Sequence, residues 1–159
     1  MGRLSGKKIN KITNPEKYRV GIYIRIGKKI TGINAVKFQE DRIDEYCEDM
    51  NLKVEGKYID DGYDIFAENR PSYNKLIKDL EMGKINMIVT ANLARICRSN
   101  KEMQDLLKLQ KEFGFRTIFT DSREELLEDK TMKVNIEDYM LDEEEFEEDY
   151  EESEDDMEM

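Results

Sequence analysis

Tyr18-Arg19-Val20-Gly21-Ile22-Tyr23-Ile24-Arg25-Ile26 is the stretch on which the fold turns. Val20, Ile22, Ile24 and Ile26 alternate with Arg19, Gly21, Tyr23 and Arg25, the period of two that a β-strand requires. The strand delivers Arg25 to its carboxyl end, and Gly27 follows at once. Downstream, helix-spaced and strand-spaced segments take turns. Asn34 is placed to cap a helix running to about Met50, with Val36, Ile43, Cys47 and Met50 as its apolar stripe. A second strand is expected over 52–59, closed by the turn signal Asp60-Asp61-Gly62. Tyr73, Leu76, Ile77 and Leu80 then mark a helix that stops at Gly83.

A short apolar run, 85–90, reads as a strand buried on both faces. Ser99-Asn100-Lys101-Glu102 has capping-box spacing and opens a helix that ends at Gly114. Residues 116–120 make a fourth strand. The alternation β-α-β-α-β-α-β predicts an α/β fold, a mostly parallel sheet flanked by helices, with its chemistry at the carboxyl ends of the strands.

Charge divides the chain. Of its 37 acidic residues, 15 lie in 137–159, where there is no basic residue. Residues 1–136 therefore hold 26 basic and 22 acidic residues, a body of +4 joined to a polyanion. Such asymmetry suits a body that meets nucleic acid, a tail that binds basic partners, or a tail that merely keeps the chain in solution. Three regions are expected: a basic flexible arm over 1–17, a folded domain over 18–127, and a disordered, acidic low-complexity tail over 128–159.

The sequence has no histidine, which excludes His-based acid/base catalysis, His-containing triads and His-ligated metals. Cys47 and Cys97 lie far apart, without metal-site spacing, so no metal and no cofactor are expected. No apolar run approaches the roughly 20 residues that span a bilayer, and the basic start lacks the apolar core of a secretory signal. A cytoplasmic protein with reduced thiols is expected, and no membrane partner.

Four segments together resemble the N-terminal catalytic domain of the serine recombinases, the resolvase/invertase family. Tyr23-Ile24-Arg25-Ile26-Gly27 is similar to that family's Tyr-x-Arg-Val-Ser. The segment 38–47, containing Gln39, resembles the helix that follows. Asp60-Asp61-Gly62 and Arg70-Pro71-Ser72-Tyr73 resemble its Asp-x-Gly and Arg-Pro-x-Phe segments. Asn92-Leu93-Ala94-Arg95-Ile96-Cys97-Arg98 resembles Lys-Leu-Asp-Arg-Leu-Gly-Arg. In order and at suitable spacings, the four cover about 18–121.

The resemblance implies DNA strand exchange, in which a serine attacks a backbone phosphodiester while arginines neutralise the phosphoryl oxygens. Arg25, Arg70, Arg95 and Arg98 match the phosphate-holding positions. Guanidinium suits that work because its planar fork fits phosphate oxygens. The nucleophile position, however, is Gly27, and the aspartate position is Ala94. Where the family continues into a long helix and a DNA-binding domain, this sequence gives the acidic run.

The resemblance therefore implies a pseudoenzyme of DNA recombination: weak or conditional DNA binding, or modulation of an active serine recombinase. The alternatives are an acidic-tail interaction protein that mimics DNA toward a basic partner, and an active recombinase using another nucleophile, with Thr31, Ser72 or Cys97 as candidates. Plainer roles stand beside these. Arg25 is placed to pair with Asp60 or Asp61 at neighbouring strand ends, Arg95 and Arg98 suit a solvated face, and Asp60-Asp61 suits a structural turn or a cation site.

Overall fold

A computed structural model of the chain describes residues 9–27, 35–63 and 67–127. The order of elements is β1 (Arg19–Ile26), α1 (Ala35–Asp49), β2 (Lys53–Asp61), α2 (Pro71–Glu81), β3 (Met87–Thr90), α3 (Leu93–Ile96), α4 (Asn100–Phe113), β4 (Arg116–Phe119) and β5 (Glu124–Glu125). The five strands form one sheet in the order β2-β1-β3-β4-β5. The first three pairings are parallel and the last is antiparallel. From β1 the chain steps outward to β2, then returns to place β3 on the other side of β1. That reversal makes the carboxyl ends of β1 and β3 the topological switch point, the place where α/β sheets take their ligands.

Alternation along β1 feeds two different cores. Val20, Ile22, Ile24 and Ile26 join Ile43, Tyr46 and Cys47 of α1, together with Met87, Val89 and Ile118, in one apolar cluster. Tyr23, on the opposite face, joins Tyr58, Leu76, Leu80, Leu93, Ile96, Met103 and Leu106 beneath α2, α3 and α4. Gly21 shares that second face because nothing larger fits: a Cβ there would lie 2.6 Å from Ile85 Cδ1 and 3.0 Å from Tyr58 Cε1. At the outer edge, β2 presents the exposed charges Lys53, Glu55 and Lys57, and Lys57 pairs back to Glu40 and Asp44 of α1 at 2.7 and 3.0 Å.

The helix termini follow their sequence signals. Ser99 Oγ accepts from Glu102 N at 3.1 Å at the start of α4, and Gly114 ends that helix at φ 74°. The start of α2 is held from outside: Pro71 fills the first turn, and the Asp60 carboxylate accepts from Ser72 N at 2.9 Å and Tyr73 N at 3.0 Å. An acid on these amides satisfies orphan donors and faces the positive end of the helix dipole.

Several expectations need correcting. The second strand runs two residues past Ile59, because Asp60 and Asp61 stay in register with Arg25 and Ile26 of β1. The turn comes one residue later, at Gly62 with φ 88°. The run 85–90 is a strand only from Met87, and the Asn86 side chain before it accepts from Arg19 N and donates to Lys17 O. Glu124 and Glu125 add an unforeseen fifth strand, anchored by Arg116 Nε and Nη2 on the Glu125 carboxylate at 2.6 and 2.8 Å.

The basic arm expected over 1–17 is not free over its described part. Ile9 and Ile12 are buried in the α1-side core, and Pro15–Lys17 forms a 3-10 turn. Two isoleucines four positions or fewer apart gain more by burial than the lysines around them lose by tethering. Asn34 and the acidic tail lie outside the described residues.

Candidate functional site

All four arginines singled out in the sequence gather at the β1/β3 switch point. Arg25 ends β1, Arg70 precedes α2, Arg95 lies in α3, and Arg98 sits between α3 and α4. Arg25 lies at the carboxyl end of β1, and the other three lie on segments that follow β2 and β3, which is how positions up to 73 residues apart converge.

Their environments differ. Arg25 is fully buried. It donates from Nη2 to Ala94 O at 2.6 Å, from Nε to Arg95 O at 3.2 Å and from Nη1 to Tyr63 O at 3.3 Å. Arg95, also buried, donates back from Nη1 to Arg25 O at 3.3 Å, so β1 and α3 clasp each other. Arg70 Nη1 takes the next carbonyl, Ile96 O, at 2.8 Å. A one-turn helix leaves its last carbonyls without intrahelical partners and carries the negative end of its dipole there. Two guanidiniums at the α3 carbonyls meet both demands.

Arg70 is further held against aromatic faces, 3.9 Å from the Tyr73 ring centroid and 5.9 Å from that of Tyr23, an attraction of cation to ring quadrupole. The Tyr23 hydroxyl donates to Asp60 at 2.8 Å and accepts from Arg70 at 3.4 Å. Asp60 is thus engaged by Tyr23 and the start of α2, which assigns it a structural role. Among the described residues no group of acidic or thiol ligands is arranged to hold a metal ion.

Glu102 completes the cluster. Its Oε1 accepts from Arg98 N at 2.7 Å and Arg70 Nη2 at 3.3 Å, and its Oε2 accepts from Arg98 Nη2 at 3.0 Å. Burial pushes the Glu102 carboxyl upward, but the hydrogen bonds from Arg98 and the charges of Arg70 and Arg98 outweigh it and hold it below the usual carboxylate value. Arg98 also donates from Nη1 to Ala67 O. The capping-box spacing announced Glu102 as a helix residue; its other signal, four positions after Arg98, marks an ion pair along one face.

Gly27 follows β1 directly and is buried, and Ala94 contributes its carbonyl to Arg25. Neither brings a reactive side chain. Of the other nucleophile candidates, Cys97 is fully buried, and burial drives its thiol up, as suits a small buried thiol in place of a nucleophile. Ser72 Oγ donates to Ile59 O at 2.8 Å. Thr31 lies outside the described residues. Cys47 is likewise buried, its thiol pushed up to about 12 by desolvation. Among the described residues no helix is long and apolar enough to cross a membrane.

With this geometry in hand, the comparisons with known proteins agree with one another. The family model for the resolvase N-terminal domain matches residues 20–150, running past 121 into the acidic stretch. The N-terminal catalytic domain of TP901-1 integrase superposes with a TM-score of 0.56 at 26% identity, over 65% of this chain and 77% of that one. A resolvase family site-specific recombinase from Streptococcus pneumoniae gives 0.61 at 21%, over 71% and 78%. The C-terminal catalytic domain of ISC1926 TnpA, an IS607-like serine recombinase, gives 0.57 at 18%, over 64% and 68%. No curated protein matches the chain in sequence. From arginines gathered at the β1/β3 switch point to a family match over most of its length, this chain belongs to the resolvase N-terminal domain family, the catalytic domains of serine recombinases.

Proposed function

We propose that this domain engages DNA phosphates, weakly or conditionally, and does so without cutting the strand. The observation that carries the reading is the convergence of Arg25, Arg70, Arg95 and Arg98 beside Gly27, a residue with no side chain where the family places its serine. Arg70 and Arg98 share the Glu102 carboxylate, and Asp60 stands beside them on the Tyr23 hydroxyl. Preorganised positive charge of this kind suits a phosphodiester. The recombinase names of the similar structures bring DNA to this chain as its partner.

Lack of cleavage is supported by the state of the nearby groups. Burial raises both the Tyr23 hydroxyl and the Cys97 thiol, moving each away from its nucleophilic anion. Without a covalent ester the energy of the broken bond is not retained for rejoining. The domain therefore modulates a DNA transaction, alone or beside an active recombinase. The 15 acidic residues of 137–159 favour a second role, competing with DNA for basic surfaces of this chain or of a protein partner.

The test incubates the full chain with supercoiled DNA, then measures binding against salt and covalent adducts after denaturation. The expected result is salt-sensitive binding, weakened by Arg98→Gln, with no adduct. A covalent protein–DNA species would overturn the non-cutting reading, and binding indifferent to Arg98 would overturn the site.

A further inference from the structure

Within the cluster the arginines divide by what holds them. Arg25 and Arg95 are buried and clasp backbone carbonyls, which fixes β1 to α3. Arg70 and Arg98 share the side chain of Glu102. Both oxygens of that carboxylate lie on the Arg98 side chain, with Nη2 at 3.0 Å and Nε at 3.4 Å, while Arg70 reaches the same Oε1 at 3.3 Å. This two-pronged contact is the one a guanidinium makes with two oxygens of a phosphate. A carboxylate already stands where the phosphate would.

Glu102 is also the group of the three that can leave. Its side chain is 28% exposed, against 17% for Arg98 and 2% for Arg70. At the α4 start Ser99 Oγ caps the helix, while Glu102 adds a bond from Arg98 N at 2.7 Å. We propose that Glu102 is an internal stand-in for a DNA phosphate: it occupies the Arg70–Arg98 fork in the free protein and swings out when a phosphodiester enters. Glu102 thus sets how tightly the site takes phosphate. This rests on the DNA reading above and adds the reason why binding is conditional.

Neutralising Glu102 adds one unit of uncompensated positive charge at the fork. One further phosphate contact steepens the slope of log K against log salt by about 0.9, which at about 0.1 M salt is roughly eightfold in affinity. The experiment measures duplex DNA binding across salt for the full-length wild type, Glu102→Gln, Glu102→Ala and the charge-conserving Glu102→Asp, with melting temperatures to verify folding. In parallel, inorganic phosphate is titrated while the side-chain Nε–H resonances of Arg70 and Arg98 are followed.

The expected result is tighter binding and a steeper slope for Glu102→Gln and Glu102→Ala, with Glu102→Asp at the wild-type slope. Phosphate should move both arginine resonances at lower concentration in the two neutral variants. If these variants gain phosphate but no form binds DNA, the stand-in role survives and the DNA reading falls. If wild type binds DNA through Arg98 while neither neutral variant gains for DNA or phosphate, the DNA reading survives and the stand-in role is overturned. No gain by any folded variant for either ligand overturns the proposal.

Discussion

The two faces of one strand show what separates a scaffold from a site. On the α1 side, β1 contributes Val20, Ile22, Ile24 and Ile26 to a core that is almost wholly apolar. On the other side the same strand contributes Gly21, Tyr23 and Arg25, and around them gather Asp60, Arg70, Arg95 and Glu102. The apolar face is held by area removed from water and tolerates modest changes of shape. The polar face is held by donors and acceptors that must each find a partner, so the loss of one group strands several others.

The largest expected effect sets these faces against each other. Arg25→Met replaces a buried guanidinium with an apolar side chain and strands the carbonyls of Ala94, Arg95 and Tyr63. Unfolding in urea should show a loss of about 1–3 kcal/mol for each buried carbonyl left without a donor. Ile24→Val, on the opposite face, should cost about 0.5–1.5 kcal/mol. Equal costs would mean that the polar network does nothing beyond fill space.

Gly21→Ala sharpens the same contrast from within the second face. The added methyl meets side-chain atoms of Ile85, Tyr58 and Leu76 at 2.6, 3.0 and 3.1 Å, so these side chains must shift to admit it. A cost of about 1–3 kcal/mol is expected from overpacking, and the melting temperature should fall accordingly. A neutral result would show that this face yields more readily than its contacts imply. Smaller still is Ser99→Ala, which removes the side-chain cap of α4 and should cost about 1 kcal/mol in denaturant unfolding. DNA affinity should be nearly untouched, because Glu102 keeps its hold on Arg98.

The smallest effect is one of pH. The folded-state pKa of Glu102 is depressed, so its contribution to stability is fully present above the unfolded value of about 4.3. It is lost as pH falls through the lower folded value. Glu102→Gln should therefore flatten part of the acid limb of the stability curve and leave the curve near neutrality parallel to wild type. An unchanged acid limb would show that the ion pairs with Arg70 and Arg98 contribute nothing to folding.

Much of this was legible in the residues. The period of two in 18–26 announced β1, the helix-spaced apolar residues announced α1 and α2, and the capping-box spacing at Ser99 with Gly114 announced α4. That the four arginines belong to one site came from the resemblance to the serine recombinases, and a parallel α/β sheet supplies the means by bringing carboxyl ends together. Less legible was what each arginine touches. Backbone carbonyls carry no sequence signature, so nothing in Leu93-Ala94-Arg95-Ile96 reveals that Arg25 and Arg70 satisfy its last carbonyls. Ile9 and Ile12 were hidden by the lysines around them, and Glu124-Glu125 by having no strand-like composition. Glu102 was visible as a helix-start residue, while its hold on Arg70, 32 positions away, depends wholly on tertiary packing.

Asp60 has a consequence for how the chain comes to be itself. From β2 its carboxylate takes the Tyr23 hydroxyl of β1 and two amides that open α2, so three elements must already be assembled before Arg70 is set in place. The sequence distances spanned are 37 residues to Tyr23 and 12 and 13 to α2. Joining elements across such spans costs loop-closure entropy that only the assembled domain offsets. The arginine fork is therefore a property of the completed domain: a nascent or partly opened chain carries the same charges, but scattered, and offers nucleic acid no more than any loose basic segment does.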